Sequence, residues 1–200
     1  MEFFLSIKYT QIVQTLPSSV PFVGPEAQER RLGKNFEARI GANESVFGAS
    51  PKAVLAMINE TGQAWKYGDP ESFDLKHALA KKHNVAFENI IVGEGIDGLL
   101  GYLVRLLVQQ GDNLLTTDGA YPTFNYHVEG FGRQLHKVPF KDDTVDLDNL
   151  LNKVIETKAK MLYISNPNNP MGTINSVNDI NNLIEYLPTE TLLCLSLIHI

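Results

Sequence analysis

The chain has 200 residues, a net charge of −6 and a pI of about 5.3, with 44% hydrophobic and 20% charged residues, as expected of a soluble globular protein. No run of ~18 apolar residues could cross a membrane; an acidic balance without a basic stripe argues against nucleic acid as the main partner; 15 glycines and 10 prolines are too few for a low-complexity chain. A single cysteine, Cys194, excludes an internal disulfide and fits a reducing cytoplasm, and Met1 to Val13 lacks the cationic lead of a signal peptide.

Residues 1–35 carry Pro17, Pro21, Gly24 and Pro25, which predict an extended arm. From about 50 onward, helices alternate with short apolar strands. Ser50 and Pro51 open a helix that includes Ala53–Glu60 and is stopped by Gly62; Ser72 opens a second over Phe73–His83. Asn89–Val92 reads as a strand, followed by a helix from about Asp97 to Gln110 ending at Gly111. Asn113–Thr117, Gln134–Pro139, Met161–Ser165 and Thr191–Ile200 read as further strands. Between them lie a helix from Pro122 towards Gly130, another over Leu147–Thr157 capped by Asp146, and a third over Val177–Tyr186 with a capping box at Ser176 and Asp179.

This alternation predicts an α/β fold with a mostly parallel sheet and helices on both faces. Ligands in such folds bind beyond the carboxyl ends of the strands. Two stretches there bear chemistry. Gly93-Glu94-Gly95-Ile96-Asp97-Gly98 opens a helix, where free amides and the helix dipole suit a phosphate. With Asp118 placed 20 residues beyond Gly98, the pattern also fits a dinucleotide-binding oxidoreductase, or no more than a tight turn. Asn166-Pro167-Asn168-Asn169-Pro170-Met171-Gly172-Thr173 is a rigid polar loop with side-chain amides free for a ligand, or a cluster of turns capping the next helix. Each of its two Asn-Pro steps has a raised chance of a cis bond.

Asn169-Pro170-Met171-Gly172 resembles the Asn-Pro-Thr-Gly element of fold-type I pyridoxal-phosphate (PLP) aminotransferases of class I/II, and the chain is similar to their histidinol-phosphate aminotransferase-like branch. Asn43-Glu44-Ser45-Val46-Phe47-Gly48 with Ser50-Pro51, Tyr67-Gly68-Asp69-Pro70, Gly93–Gly98 and Pro122-Thr123-Phe124-Asn125-Tyr126 resemble further elements of that branch, in family order. Departures are Glu94, Ile96 and Gly98 in the phosphate loop, Met171 for threonine and Gly68 for proline.

The resemblance implies two regions: an N-terminal arm with a small-domain segment over 1–50, and part of a large PLP-binding domain over 51–200. It implies that Gly95, Ile96 and Asp97 donate amides to the coenzyme phosphate, that Phe124 lies against the pyridine ring, and that Asn169 bonds its phenolic oxygen. Tyr67 would reach the phosphate of a neighbouring subunit in a homodimer, and Asn43 and Glu44 would lie near the substrate entrance. The implied reaction moves an amino group between an amino acid, or an amino-alcohol phosphate, and a 2-oxo acid in the cytoplasm. A decarboxylase of the threonine-phosphate type shares these motifs, and a phosphate- or partner-binding chain without turnover is the non-enzymatic alternative. The family's imine-forming lysine and ring-nitrogen aspartate are expected after the strand that begins near Thr191, where this sequence has neither, so the chain is expected to be an N-terminal fragment, poorly soluble and inactive alone. The five histidines lack the spacing of a metal site. Asp142, Asp143, Asp146 and Asp148 read as turn and cap residues, and Cys194 as inert.

Overall fold

The computed structural model describes residues 8–16, 23–39 and 44–197. It divides into two compact units, one of residues 22–92 and one drawn from residues 1–21 and 93–200. The division thus falls between Val92 and Gly93, whereas the sequence motifs suggest residue 50.

In the first unit the helices are α2 (Pro25–Leu32), α3 (Pro51–Glu60) and α4 (Phe73–His83). Over its described residues, 8–16 and 23–35, the proline-rich start is not an extended arm; Pro17 and Pro21 lie outside the described residues. Gly24 caps α2, Pro25 sits in its first turn, and Gly33 closes it at φ 68°, so two of the residues that read as helix breakers start a helix instead. A five-residue helix, α1 (Gln11–Thr15), lies in the other unit with Thr10 as its cap. Helix α4 starts where expected but by another device. Ser72 is in the left-handed region at φ 49° and makes no cap bond. The Asp69 carboxylate instead accepts the Phe73 and Glu71 amides at 2.7 and 3.1 Å. Those two bonds, from Phe73 first, hold its carboxyl below the usual range. Phe73, His77 and Phe87 form an aromatic cluster, with Lys76 Nζ 3.9 Å from the Phe87 ring.

Asn89–Val92 is not a strand. A short 3₁₀ turn, Phe87–Asn89, takes the Ile90 amide onto the Phe87 carbonyl at 3.1 Å. Among the described residues no strand pairs with 90–92, and extended chain without a partner forms no ladder.

The second unit holds the sheet. Helix α5 (Gly95–Leu107) leads to β1 (Asn113–Thr117), and α6 (Thr123–Gly130) leads to β2 (Gln134–Val138). Then follow α7 (Leu147–Thr157), β3 (Met161–Ser165), α8 (Val177–Tyr186) and β4 (Leu192–Ser196). The four strands are parallel in the order β2-β1-β3-β4. Helix α5 begins two residues earlier and ends three residues sooner than its sequence suggests, because Val108 turns to extended backbone. The capping box of α8 is present, and Asp146 caps α7.

Strand alternation divides the core in two. Leu114, Met161 and Tyr163 pack with Leu100, Val104, Phe124 and Val128 of α5 and α6. On the other face, Leu115, Leu162 and Ile164 pack with Leu150, Val154, Ile180 and Leu183 of α7 and α8. Both faces of β3 are buried throughout, which is why its sequence is continuously apolar up to Ser165.

Candidate functional site

Helix α5 runs back towards the amino ends of the strands, so its first turn lies at their carboxyl ends, on the same rim as the loops after β1 and β3. A methyl on Gly93 would lie 2.6 Å from Leu99 Cδ2, so that side chain would have to shift, and Gly95 adopts φ 73°, where any side chain is strained. The Gly95 amide donates to the Gly93 carbonyl at 2.8 Å, so Gly95 shapes the turn and is not an open donor as expected from sequence. Glu94 gives the helix no side-chain cap. Among the described residues the amides of Ile96 and Asp97 have no acceptor, the ordinary condition of an uncapped first turn. They form a set of donors reinforced by the helix dipole.

The loop after β3 is fastened by hydrogen bonds to most of its amides. Asn166 clasps Asn175 twice, its Oδ1 accepting the Asn175 amide at 2.9 Å and its Nδ2 donating to the Asn175 carbonyl at 3.1 Å. Asn168 donates its amide to the Thr173 carbonyl and accepts the Gly172 amide, both at 2.8 Å, while its Oδ1 accepts from Met171 at 3.3 Å. Ser165 Oγ accepts the Asn169 amide at 3.2 Å, and the Tyr121 amide donates to the Asn169 carbonyl at 3.0 Å, tying the β1 loop to this one. Both Asn-Pro bonds, 166–167 and 169–170, are cis. Of the three asparagines, Asn166 and Asn168 build the loop. The Asn169 carboxamide alone is left without a partner among the described residues.

A further observation marks this rim as polar beyond what the protein itself satisfies. Asn168 Nδ2 at the loop is buried without a hydrogen-bond partner, whereas Ser196 Oγ at the end of β4 stands beside the Tyr163 phenol. An unpartnered buried group carries a desolvation cost until something bonds it.

Phe124 is wholly buried, against the expectation of a ring face open to a ligand. Its position two residues after Pro122 turns it into the α5–α6 core, where it stacks on Tyr163 with centroids 4.7 Å apart and planes at 22°. Burial pushes the Tyr163 phenol up to about 12. Tyr163 and Ser165 escape the motif-based reading, although the alternation of Met161–Ser165 puts both on one face. Cys194 is half-buried, and burial raises its thiol pKa.

Three expected site residues belong to the other unit or fall outside the description. Tyr67 is fully exposed. Glu44 pairs with Arg39 at 3.4 Å, and Arg39 also meets Glu26 at 2.8 Å, in an exposed cluster. Asn43 lies outside the described residues. Asp118, the anchor of the dinucleotide alternative, is exposed at the end of β1, and the strand that should precede Gly93 is absent, so that fingerprint loses its strand–turn–helix setting. Among the described residues no three His, Cys, Asp or Glu side chains could hold a metal ion, and no helix is long and apolar enough to cross a membrane.

Residues 38–196 match the family described as aminotransferase class I and II. Histidinol-phosphate aminotransferase 2 of Carboxydothermus hydrogenoformans is 30% identical over 92% of this chain and 50% of its own length. The crystal structure of histidinol-phosphate aminotransferase from Sinorhizobium meliloti in complex with pyridoxal-5'-phosphate superposes with a TM-score of 0.89 at 48% identity, covering 96% of this chain and 51% of that one. Aspartate aminotransferase from Rhizobium meliloti, at 17% identity and a TM-score of 0.75, shares the fold. The chain spans about half the length of the curated relatives it matches. The parallel sheet, the open helix start and the asparagine loop thus sit in a chain that belongs to the class I and II aminotransferases.

Proposed function

We propose that this chain supplies the phosphate- and ring-hydroxyl-binding part of a pyridoxal-phosphate site in an aminotransferase. The observation that carries the reading is the pairing, on one rim, of unfilled amides at Ile96 and Asp97 with the single unpartnered carboxamide of the loop, Asn169. The buried, unpartnered Asn168 Nδ2 fits a polar guest at that rim.

The amides of Ile96 and Asp97 would hold the coenzyme phosphate, with the α5 dipole behind them. Asn169 Nδ2 would donate to the phenolic oxygen. Phe124 backs the rim from inside the core, with its ring held by Tyr163. When bound, the coenzyme supplies an electron sink for charge that develops at the substrate α-carbon. The substrates are an amino acid, or an amino-alcohol phosphate, and a 2-oxo acid, in cytoplasmic amino-acid biosynthesis. The exposed Tyr67 is available to a neighbouring subunit of a homodimer with shared sites; Asn43 and Glu44 are assigned to the substrate side by the family resemblance alone.

Titration of the chain with pyridoxal phosphate, followed by its visible absorbance, tests this. Saturable binding is expected, weakened about tenfold in Asn169→Ala, the loss of one hydrogen bond of about 1.4 kcal/mol. Binding no tighter than that of pyridoxal without its phosphate would sink the reading, as would saturable binding of a nicotinamide dinucleotide in its place.

A further inference from the structure

The two proposed contact points sit on different elements, and a single line of contacts joins them. Helix α5 carries the open amides. It lies so close to α6 that a methyl on Gly101 would stand 2.9 Å from the His127 imidazole. Helix α6 in turn stacks Phe124 on Tyr163 of β3 at 4.7 Å. Two residues further along β3, on the same face, Ser165 Oγ takes the Asn169 amide. Tyr163 also stands at the sheet's centre, its carbonyl accepting from Thr116 Oγ1 of β1 at 2.9 Å and its register partner on β4 being Cys194.

We infer that Tyr163 is a positioning residue: its stack with Phe124 fixes the spacing between the amides of α5 and the carboxamide of Asn169, and so selects a ligand that touches both. The inference rests on the coenzyme reading above. Tyr163 itself is almost wholly buried, so it acts through Phe124 and α6. The phenol stays neutral because burial disfavours its anion, and it adds no charge to the phosphate side of the rim.

A ligand with one point of contact does not feel the spacing, whereas a ligand with two does. Inorganic phosphate can use only the α5 amides. Pyridoxal phosphate uses the amides and Asn169 together. The test measures both affinities for the parent chain, Tyr163→Leu and Tyr163→Phe, with circular dichroism as the check of fold. Tyr163→Leu is expected to bind pyridoxal phosphate at least fivefold more weakly while inorganic phosphate stays within twofold of the parent. Tyr163→Phe, which keeps the stack, stays within twofold for both. Should the leucine variant not fold, Tyr163→Met fills the volume with a flexible chain and is expected to show the same selective loss. Equal losses for the two ligands, or no loss for pyridoxal phosphate, overturn the role of Tyr163 and leave the coenzyme reading standing. A parent chain that binds pyridoxal phosphate no more tightly than inorganic phosphate overturns both.

Discussion

Burial raises the Tyr163 phenol to about 12 from an unfolded value near 10, so the folded chain favours its neutral form. The stabilisation is complete below about pH 10 and is lost as pH rises through the folded value. Alkaline absorbance titration should therefore show a late phase near pH 12 that Tyr163→Phe lacks. Asp69 works in the opposite direction. Two amide donors lower its carboxyl, so its contribution to α4 is present above the unfolded carboxylate value of about 3.9 and fades as pH falls through the folded one. Asp69→Ala should lower the melting temperature at neutral pH, with much less effect in strong acid; equal effects at both would contradict the cap. Single residues were legible in the sequence when their role was local, as with the caps at Asp146 and Ser176. Asp69 in place of Ser72, and Phe124 facing inward, depended on backbone angles and packing that spacing does not encode.

At the level of elements, the first turn of α5 invites a direct probe. Proline is tolerated in an initial helical turn yet has no amide hydrogen. Ile96→Pro should weaken both pyridoxal phosphate and inorganic phosphate about tenfold, while Ile96→Val leaves both unchanged, as read by the same titrations. The α5–α6 contact offers a second probe. Gly101→Ala pushes a methyl to 2.9 Å from His127 and should cost about 1–3 kcal/mol in denaturant unfolding. That cost should largely vanish in a His127→Ala background, and a cost that persists there would assign it to the glycine backbone instead. Strands β1 and β3 and helices α7 and α8 follow their sequence patterns to the residue, because caps and alternation agree at both ends. Asn89–Val92 has the apolar pattern of a strand but no neighbour among the described residues, and a ladder is a property of two segments.

For the molecule as a whole, burial is uneven. The sheet-bearing unit has an apolar cluster on each face. In the other unit, Ala80 is the one buried residue among those described, and Val54, Leu55, Met57 and Ile58 of α3 are all exposed. Native-state hydrogen exchange should accordingly find the amides of α3 and α4 opening well before those of β1 and β3; protection equal to that of the sheet would show that α3 is covered in solution. The parallel sheet could be read from the alternation of elements. The division at Val92–Gly93 could not, since it depends on which helices find partners.

The loop after β3 has a thermodynamic corollary. From Ser165 to Asn175 the main chain is fastened by its own asparagines, by Ser165 and by Tyr121, so a guest meeting Asn169 has only one side chain left to immobilise. Ordering a side chain costs roughly 0.5–1.5 kcal/mol, far less than freezing a mobile segment of that length. Binding at this rim therefore avoids the cost of ordering a segment, and calorimetry should register little of the entropic penalty that accompanies loop closure.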